Sequence, residues 1–140
     1  GTLREGMRVV YTAGQLKIPT VSVVIRKCYG MAGMATCNKN DIDLKIAWPS
    51  GEWGSLPVEG GVAAAFRREI ESAEDPKAKE QELEQRLRAY ASPFRTAEAL
   101  AVEEIIDPRE TRPMLCEYIE LAERRLKIGL GPRARAGVAP

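Results

Sequence analysis

Histidine is absent from the 140 residues. Within this chain that excludes Ser-His-Asp and Cys-His catalysis and removes the commonest metal ligand. Any chemistry must rest on backbone dipoles, carboxylates, lysines, tyrosines, or groups from another chain. Net charge is almost absent too, since 21 Lys and Arg face 20 Asp and Glu and leave +1. No long-range field remains to recruit nucleic acid or an anionic membrane. No apolar run approaches a membrane span, and no charged-then-apolar signal opens the chain. Cysteine is scarce. Cys28, Cys37 and Cys116 are an odd number without metal-ligand spacing, which points to reduced thiols in a cytoplasmic protein that holds no metal.

What is present suits one folded α/β domain, with 44% hydrophobic residues. Thr2 and Glu5 match a capping box, and Leu3, Met7, Val10, Tyr11 and Gly14 then share one helical face. A start so close to a helix cap suggests lost upstream sequence. Val21, Val23, Val24 and Ile25 form a β-branched run, as in a parallel strand covered on both sides. Leu44, Ile46 and Trp48 alternate with polar or small neighbours in a strand that ends at Pro49, and residues 52–56 suit a short third strand.

Val62, Phe66 and Ile70, at four-residue steps, mark a helix. Residues 75–90 are strongly charged with a thin apolar stripe of Leu83, Leu87 and Tyr90. Glu82 with Arg86 and Glu84 with Arg88 form i,i+4 pairs, the pattern of a solvated helix rather than a nucleic-acid surface. Ser92 is placed to cap a helix from Pro93 through Ala101. Residues 102–106 suit a small strand, which Asp107-Pro108 turns. Thr111 is expected to cap the last helix in place of Asp107, because Pro113 fits only within a first turn. Its inner face reads Leu115, Ile119, Ala122 and Leu126. The Gly/Pro/Arg/Ala-rich tail reads as extended.

The stretch around which these pieces are arranged is Arg26-Lys27-Cys28-Tyr29-Gly30-Met31-Ala32-Gly33-Met34-Ala35. An apolar run leads into it, and its glycines and small residues open a short helix expected over residues 31–36 that closes near residues 38–40. Such a strand-to-helix turn leaves backbone N–H groups unpaired and pointing one way, which suits an oxyanion. The plainer alternative is a tight turn with Gly30 at positive φ and Gly33 permitting close packing. Both readings stand at this point.

Taken in order, Arg26-Lys27-x-Tyr29-Gly30-x-Ala32, Ala47-Trp48-Pro49-Ser50-x-Glu52, Glu59-Gly60-Gly61-Val62, Ser92-Pro93-Phe94 and Ile106-Asp107-Pro108 through Arg112 resemble one family. Its signatures read RKxYGGAY, AWPTAE, GxEGAV, NPY and IxPxxTR. It is the carboxyltransferase (β) component of biotin-dependent acyl-CoA carboxylases, of the propionyl-CoA carboxylase β-chain type. The resemblance covers residues 1–128 and implies a crotonase-like α/β subdomain, followed by a C-terminal extension over 129–140. It implies the second, biotin-facing half of a longer enzyme, whose N-terminal half binds most of the acyl-CoA. It further implies carboxybiotin on a biotin carboxylase or carrier subunit, a coenzyme A thioester as substrate, and a homo-oligomer.

By the same resemblance the backbone amides of Met31 and Ala32 form an oxyanion hole for biotin, while Tyr29, Gly30, Gly33 and Met34 line the substrate side. The chain departs from the family where Met31 replaces a glycine and Gly33 an aromatic. Met34 stands where propionyl-type enzymes often carry an acidic residue, which points to a bulkier or different acyl chain. Two rival readings remain. One is an enoyl-CoA hydratase or isomerase relative, which needs a catalytic carboxylate that residues 30–40 do not contain. The other is a non-catalytic half-domain used for assembly.

Single residues outside that stretch carry paired expectations. Glu52 either orients the biotin side of the pocket or caps Gly60 and Gly61. Lys27 is a surface charge or a carboxylate ligand. Trp48 and Pro49 shape their turn, Cys28 and Cys37 fill buried space, and Arg109 and Arg112 order a helix start or meet a neighbouring subunit.

Overall fold

The computed structural model describes residues 1–15, 18–34 and 44–129. Helix α1 spans Thr2–Gln15. Thr2 lies inside it, so the flanking Gly1 carbonyl accepts from the amides of Arg4 (3.1 Å) and Glu5 (3.5 Å). The Glu5 carboxylate turns instead to Arg8, at 3.1 Å. Leu3, Met7 and Tyr11 are exposed, and Gly14 is the buried residue. Three of the five expected face residues are thus exposed, Val10 is half-buried, and the helix makes a close approach through Gly6, where an added Cβ would stand 2.8 Å from the Met31 Sδ.

Strands β1 (Val21–Val24) and β2 (Lys27–Tyr29) follow, then the short helix α2 (Gly30–Met34). Strands β3 (Leu44–Ala47) and β4 (Glu52–Gly54) come next. With β5 (Glu104–Ile105), β1 and β3 form an all-parallel sheet in the order β1-β3-β5, while β2 and β4 pair in parallel as a separate two-stranded ribbon. The simple alternation expected along β3 is not found. Ile46 and Ala47 are neighbours and both fully buried, as befits a central strand covered on both faces. At the edge of this sheet β1 is only half-covered, with Val24 buried and Ile25, beyond the strand, exposed.

The helix expected from Val62 to Ile70 breaks in two, α3 (Gly61–Ala65) and α4 (Arg67–Glu71), at Phe66 with φ −108° and ψ 21°. Helix α5 (Pro76–Tyr90) starts at Asp75, whose carboxylate accepts from the amides of Lys77 and Ala78. Its thin stripe suffices for one seam. Leu83 is fully buried against Val58 and Val62, with Phe66, Ile70 and Leu87 packed around them, while Tyr90 is exposed. Arg88 pairs with Glu84 at 3.9 Å, whereas Glu82 pairs with Lys79 at 3.2 Å.

Helix α6 (Pro93–Glu98) is shorter than expected, since Leu100 turns left-handed at φ 55° and the Ala101 amide bonds back to Thr96. Ser92 holds the N-cap position without a side-chain cap bond. A single 3₁₀ turn (Pro108–Glu110) leads into α7 (Thr111–Gly129), and here the expected cap is corrected. Thr111 is the first residue of α7 rather than its cap, and Asp107 caps the 3₁₀ turn before it, accepting from the Arg109 amide at 2.9 Å while Glu110 accepts from the Asp107 amide at 3.3 Å. Pro108 takes N1, and the 3₁₀ turn brings Pro113 into the helix one turn later. The Thr111 hydroxyl is used elsewhere, accepting from the Trp48 indole at 2.9 Å. On α7 the buried residues are Tyr118 and Ala122, and Ile119 faces out at 64% exposure. Among the described residues no helix is long and apolar enough to cross a membrane. Cys37 and the tail beyond residue 129 lie outside the described residues.

Candidate functional site

The turn at Gly30 is reached through β2 rather than directly from β1. The chain leaves one sheet at Val24, crosses Ile25 and Arg26, and joins the ribbon at Lys27. Gly30 has φ +57°, and a Cβ on it would stand 3.3 Å from the Ser55 carbonyl oxygen. That left-handed step converts strand into helix within one residue, which a glycine does at least cost. Gly33 is bare for another reason. A Cβ there would lie 3.1 Å from both the carbonyl oxygen and the Sγ of buried Cys28, so its size serves close packing of α2 on β2.

Met31 and Ala32 fall in the first turn of α2, and Met34 is its last residue. First-turn amides have no acceptor inside their own helix. The Met31 sulfur lies against Gly6 of α1, which turns that side chain to packing. Residues 30–34 contain no ionisable side chain. The left-handed step at Gly30 and the close packing at Gly33 expected of a tight turn are thus both present.

Around the turn stands a polar framework. The Tyr29 hydroxyl donates to Glu52 Oε2 at 2.7 Å, and the Tyr29 ring lies across Gly54 on the paired strand. Burial first, and then the Glu52 carboxylate, push the Tyr29 phenol up to about 12, so it stays a donor. Lys27 is a carboxylate ligand, with its Nζ 3.1 Å from Glu59 Oε2. That bond holds the Glu59 carboxyl below the usual range, and Arg88 meets its other oxygen at 3.5 Å. Glu52 therefore does not cap Gly60 and Gly61. Asp107 likewise binds Arg109, so Arg109 orders the helix start.

Pro49, Ser50, Glu52, Glu59, Arg88 and Ser92 contribute to one cleft of about 300 Å³. Three of the stretches separated in sequence thus meet in space. The Ser50 hydroxyl donates to the Ile25 carbonyl at 2.5 Å, tying this wall to the end of β1. From the sequence Arg88 reads only as the i,i+4 partner of Glu84. Its i,i+4 pairing with Glu84 masked the contact with Glu59, 29 residues away, for which no local pattern exists.

Residues 1–135 match the model of the carboxyl transferase domain family. The chain belongs to this family. The domain is similar to the methylmalonyl-CoA carboxyltransferase 12S subunit of Propionibacterium freudenreichii subsp. shermanii, at 33% identity over 86% of the chain and 24% of that relative. It is similar also to the carboxyltransferase subunit of propionyl-CoA carboxylase from Haloferax mediterranei, at 30% identity over 91% of the chain and 25% of the relative. Among solved structures, the transcarboxylase 12S hexamer with methylmalonyl-coenzyme A and methylmalonic acid bound superposes with a TM-score of 0.74. The match has 29% identity and covers 99% of this chain and 26% of that one. The fold is the crotonase-like α/β fold of carboxyltransferases, as the motifs implied. The chain spans about a quarter of the length of these relatives.

Proposed function

We propose that this chain is the biotin-facing half of an acyl-CoA carboxyltransferase, with residues 1–128 as its subdomain and 129–140 as an extension. The observation that carries this reading is the left-handed Gly30 turn, which sets two first-turn amides at the head of α2 in a carboxyl transferase domain. Carboxybiotin, carried by a partner protein, supplies the carboxyl group and the base that takes the acyl α-proton. The contribution of this chain is electrostatic. The amides of Met31 and Ala32 donate to the ureido oxygen as it gains negative charge, a task that requires no histidine. The residues fit the group, for these amides have no acceptor within α2 and the Met31 side chain is occupied at Gly6.

The acyl-CoA platform and the second oxyanion site belong to an N-terminal half, and the active site forms between the halves of two subunits in a cytoplasmic homo-oligomer. Tyr29, Gly30, Gly33 and Met34 border the substrate, and methionine at position 34 points to a bulkier or different acyl chain. Membership of the carboxyl transferase family weighs against a hydratase or isomerase.

The test is carboxyl transfer from carboxybiotin to acyl-CoA by this chain assembled with its N-terminal half, with the chain alone inactive. Met31→Pro deletes one donor and should lower turnover about 10²–10³-fold, whereas Met31→Gly keeps the donor and should fall far less. Circular dichroism and assembly checks must first show that the proline variant folds. With a biotin analogue bound, the ureido oxygen should sit about 2.7–3.1 Å from these two nitrogens. An oxygen held elsewhere, with both amides paired internally, defeats the oxyanion assignment.

A further inference from the structure

The ribbon of β2 and β4 is three residues deep, and an isolated two-stranded pair is marginal in water. The Gly30 turn nevertheless hangs from its end. A one-residue slip would carry the turn about 3.3 Å along the strand, whereas a donor must be held within about 0.5 Å of its productive place. Something besides the strand ladder has to fix the register.

The pairing places Lys27 opposite Glu52 and Tyr29 opposite Gly54. Because Gly54 has no side chain, the Tyr29 ring crosses it, and its Cε1 lies 3.3 Å from where a Cβ would stand. The hydroxyl then reaches back along β4 to Glu52 Oε2 at 2.7 Å. This is a diagonal brace from the residue beside Gly30 to the far end of the partner strand. At that far end Lys27 is held by Glu59, which Arg88 of α5 meets in turn.

We propose that Tyr29 and Glu52 are positioning residues, whose cross-strand hydrogen bond locks β2 against β4 and so aims the Met31 and Ala32 amides. The inference rests on the carboxyltransferase reading above. Both act on the reaction through the turn. The raised phenol pKa keeps the donor in place across the working range of pH.

In the enzyme assembled from this chain and its N-terminal half, Tyr29→Phe and Glu52→Leu should each lower kcat roughly 10–100-fold, as small misplacements of reacting groups do. The KM for acyl-CoA should hold in Glu52→Leu, whereas Tyr29 also borders the substrate, so its variant is read by kcat and by exchange. Glu52→Gln still accepts a hydrogen bond and should recover most of the rate. The double variant should be no slower than the slower single one, because both remove the same bond. Amide hydrogen exchange over residues 30–34 should quicken in Tyr29→Phe and Glu52→Leu but not in Glu52→Gln. A wild-type kcat or unchanged exchange in Tyr29→Phe, or a loss confined to KM for acyl-CoA in Glu52→Leu, overturns the brace. If the wild-type assembly transfers no carboxyl group, the carboxyltransferase reading fails, and the exchange comparison still decides the brace.

Discussion

Gly30→Ala tests the turn at its most constrained atom. With φ at +57°, any L side chain is strained there whatever space surrounds it. The left-handed region costs a residue with a Cβ about 1–2 kcal/mol relative to glycine. The new Cβ would also stand 3.3 Å from the Ser55 carbonyl oxygen, a backbone atom that cannot rotate aside, so the loop after β4 must shift by a few tenths of an ångström. Alanine should therefore cost about 1–3 kcal/mol, with overpacking adding to the strain of the backbone. Gly30→Asn is the informative companion. Asparagine adds the same Cβ but tolerates the left-handed conformation, so it should lose less, and the difference between the two isolates backbone strain from the contact. Urea midpoints, compared at constant slope, measure both in the assembled protein. Carboxyl transfer should fall in the same order, since the amides of Met31 and Ala32 follow Gly30. An alanine variant as stable as wild type would refute the left-handed turn and, with it, the geometry on which the oxyanion assignment stands.

Asp107→Ala should cost about 0.5–2 kcal/mol, the usual loss of an N-cap, and wild-type stability in a denaturant melt would contradict Asp107 as the start of the last helical segment. The Asp107 and Glu59 carboxyls are held low, by Arg109 and Lys27 respectively. Their stabilisation is present above the unfolded carboxyl values near 4 and is lost as pH falls through the depressed folded values; a melt series on the acid side should show Asp107→Asn blunting that loss. On the alkaline side, Tyr29 has its folded pKa raised from 10.0 to about 12. Its contribution is complete below the unfolded value and is lost as pH rises through the folded one. A spectrophotometric titration should show a late tyrosine ionisation that is absent from Tyr29→Phe.

Local pattern was enough wherever one residue type decided the backbone. Gly30 and Gly33 announced the turn and its packing, Pro93 opened its helix, and the β-branched run located β1. Errors arose where partners distant in sequence settled the outcome. Thr111 had the chemistry of a cap but is held by Trp48, 63 residues away, and Asp107 took the task with Glu110. Ile119 lay on the expected stripe of the last helix. The inward place went to Tyr118, whose hydroxyl donates to the Thr20 carbonyl at 3.2 Å. Within the ribbon, β4 was legible as a short strand over residues 52–56, but β2 is too short to show a period, and the bond between Tyr29 and Glu52 joins residues 23 apart.

Methionine at position 31 is the least expected residue of the site, and its surroundings account for it. If the function of this position is to present an N–H, its side chain is free to be selected for something else. Here it is used for packing, since the Met31 sulfur occupies the space that a side chain at residue 6 would need. A glycine at 31 would leave that space empty, and a larger residue at 6 would displace the sulfur. The two positions are thus complementary in size, small on α1 and large on α2. An unbranched thioether is the side chain best able to fill such a gap without forcing the backbone. The main chain of Met31 serves the turn while its side chain fastens α2 to α1, so the departure from glycine is compatible with the role proposed for the amide.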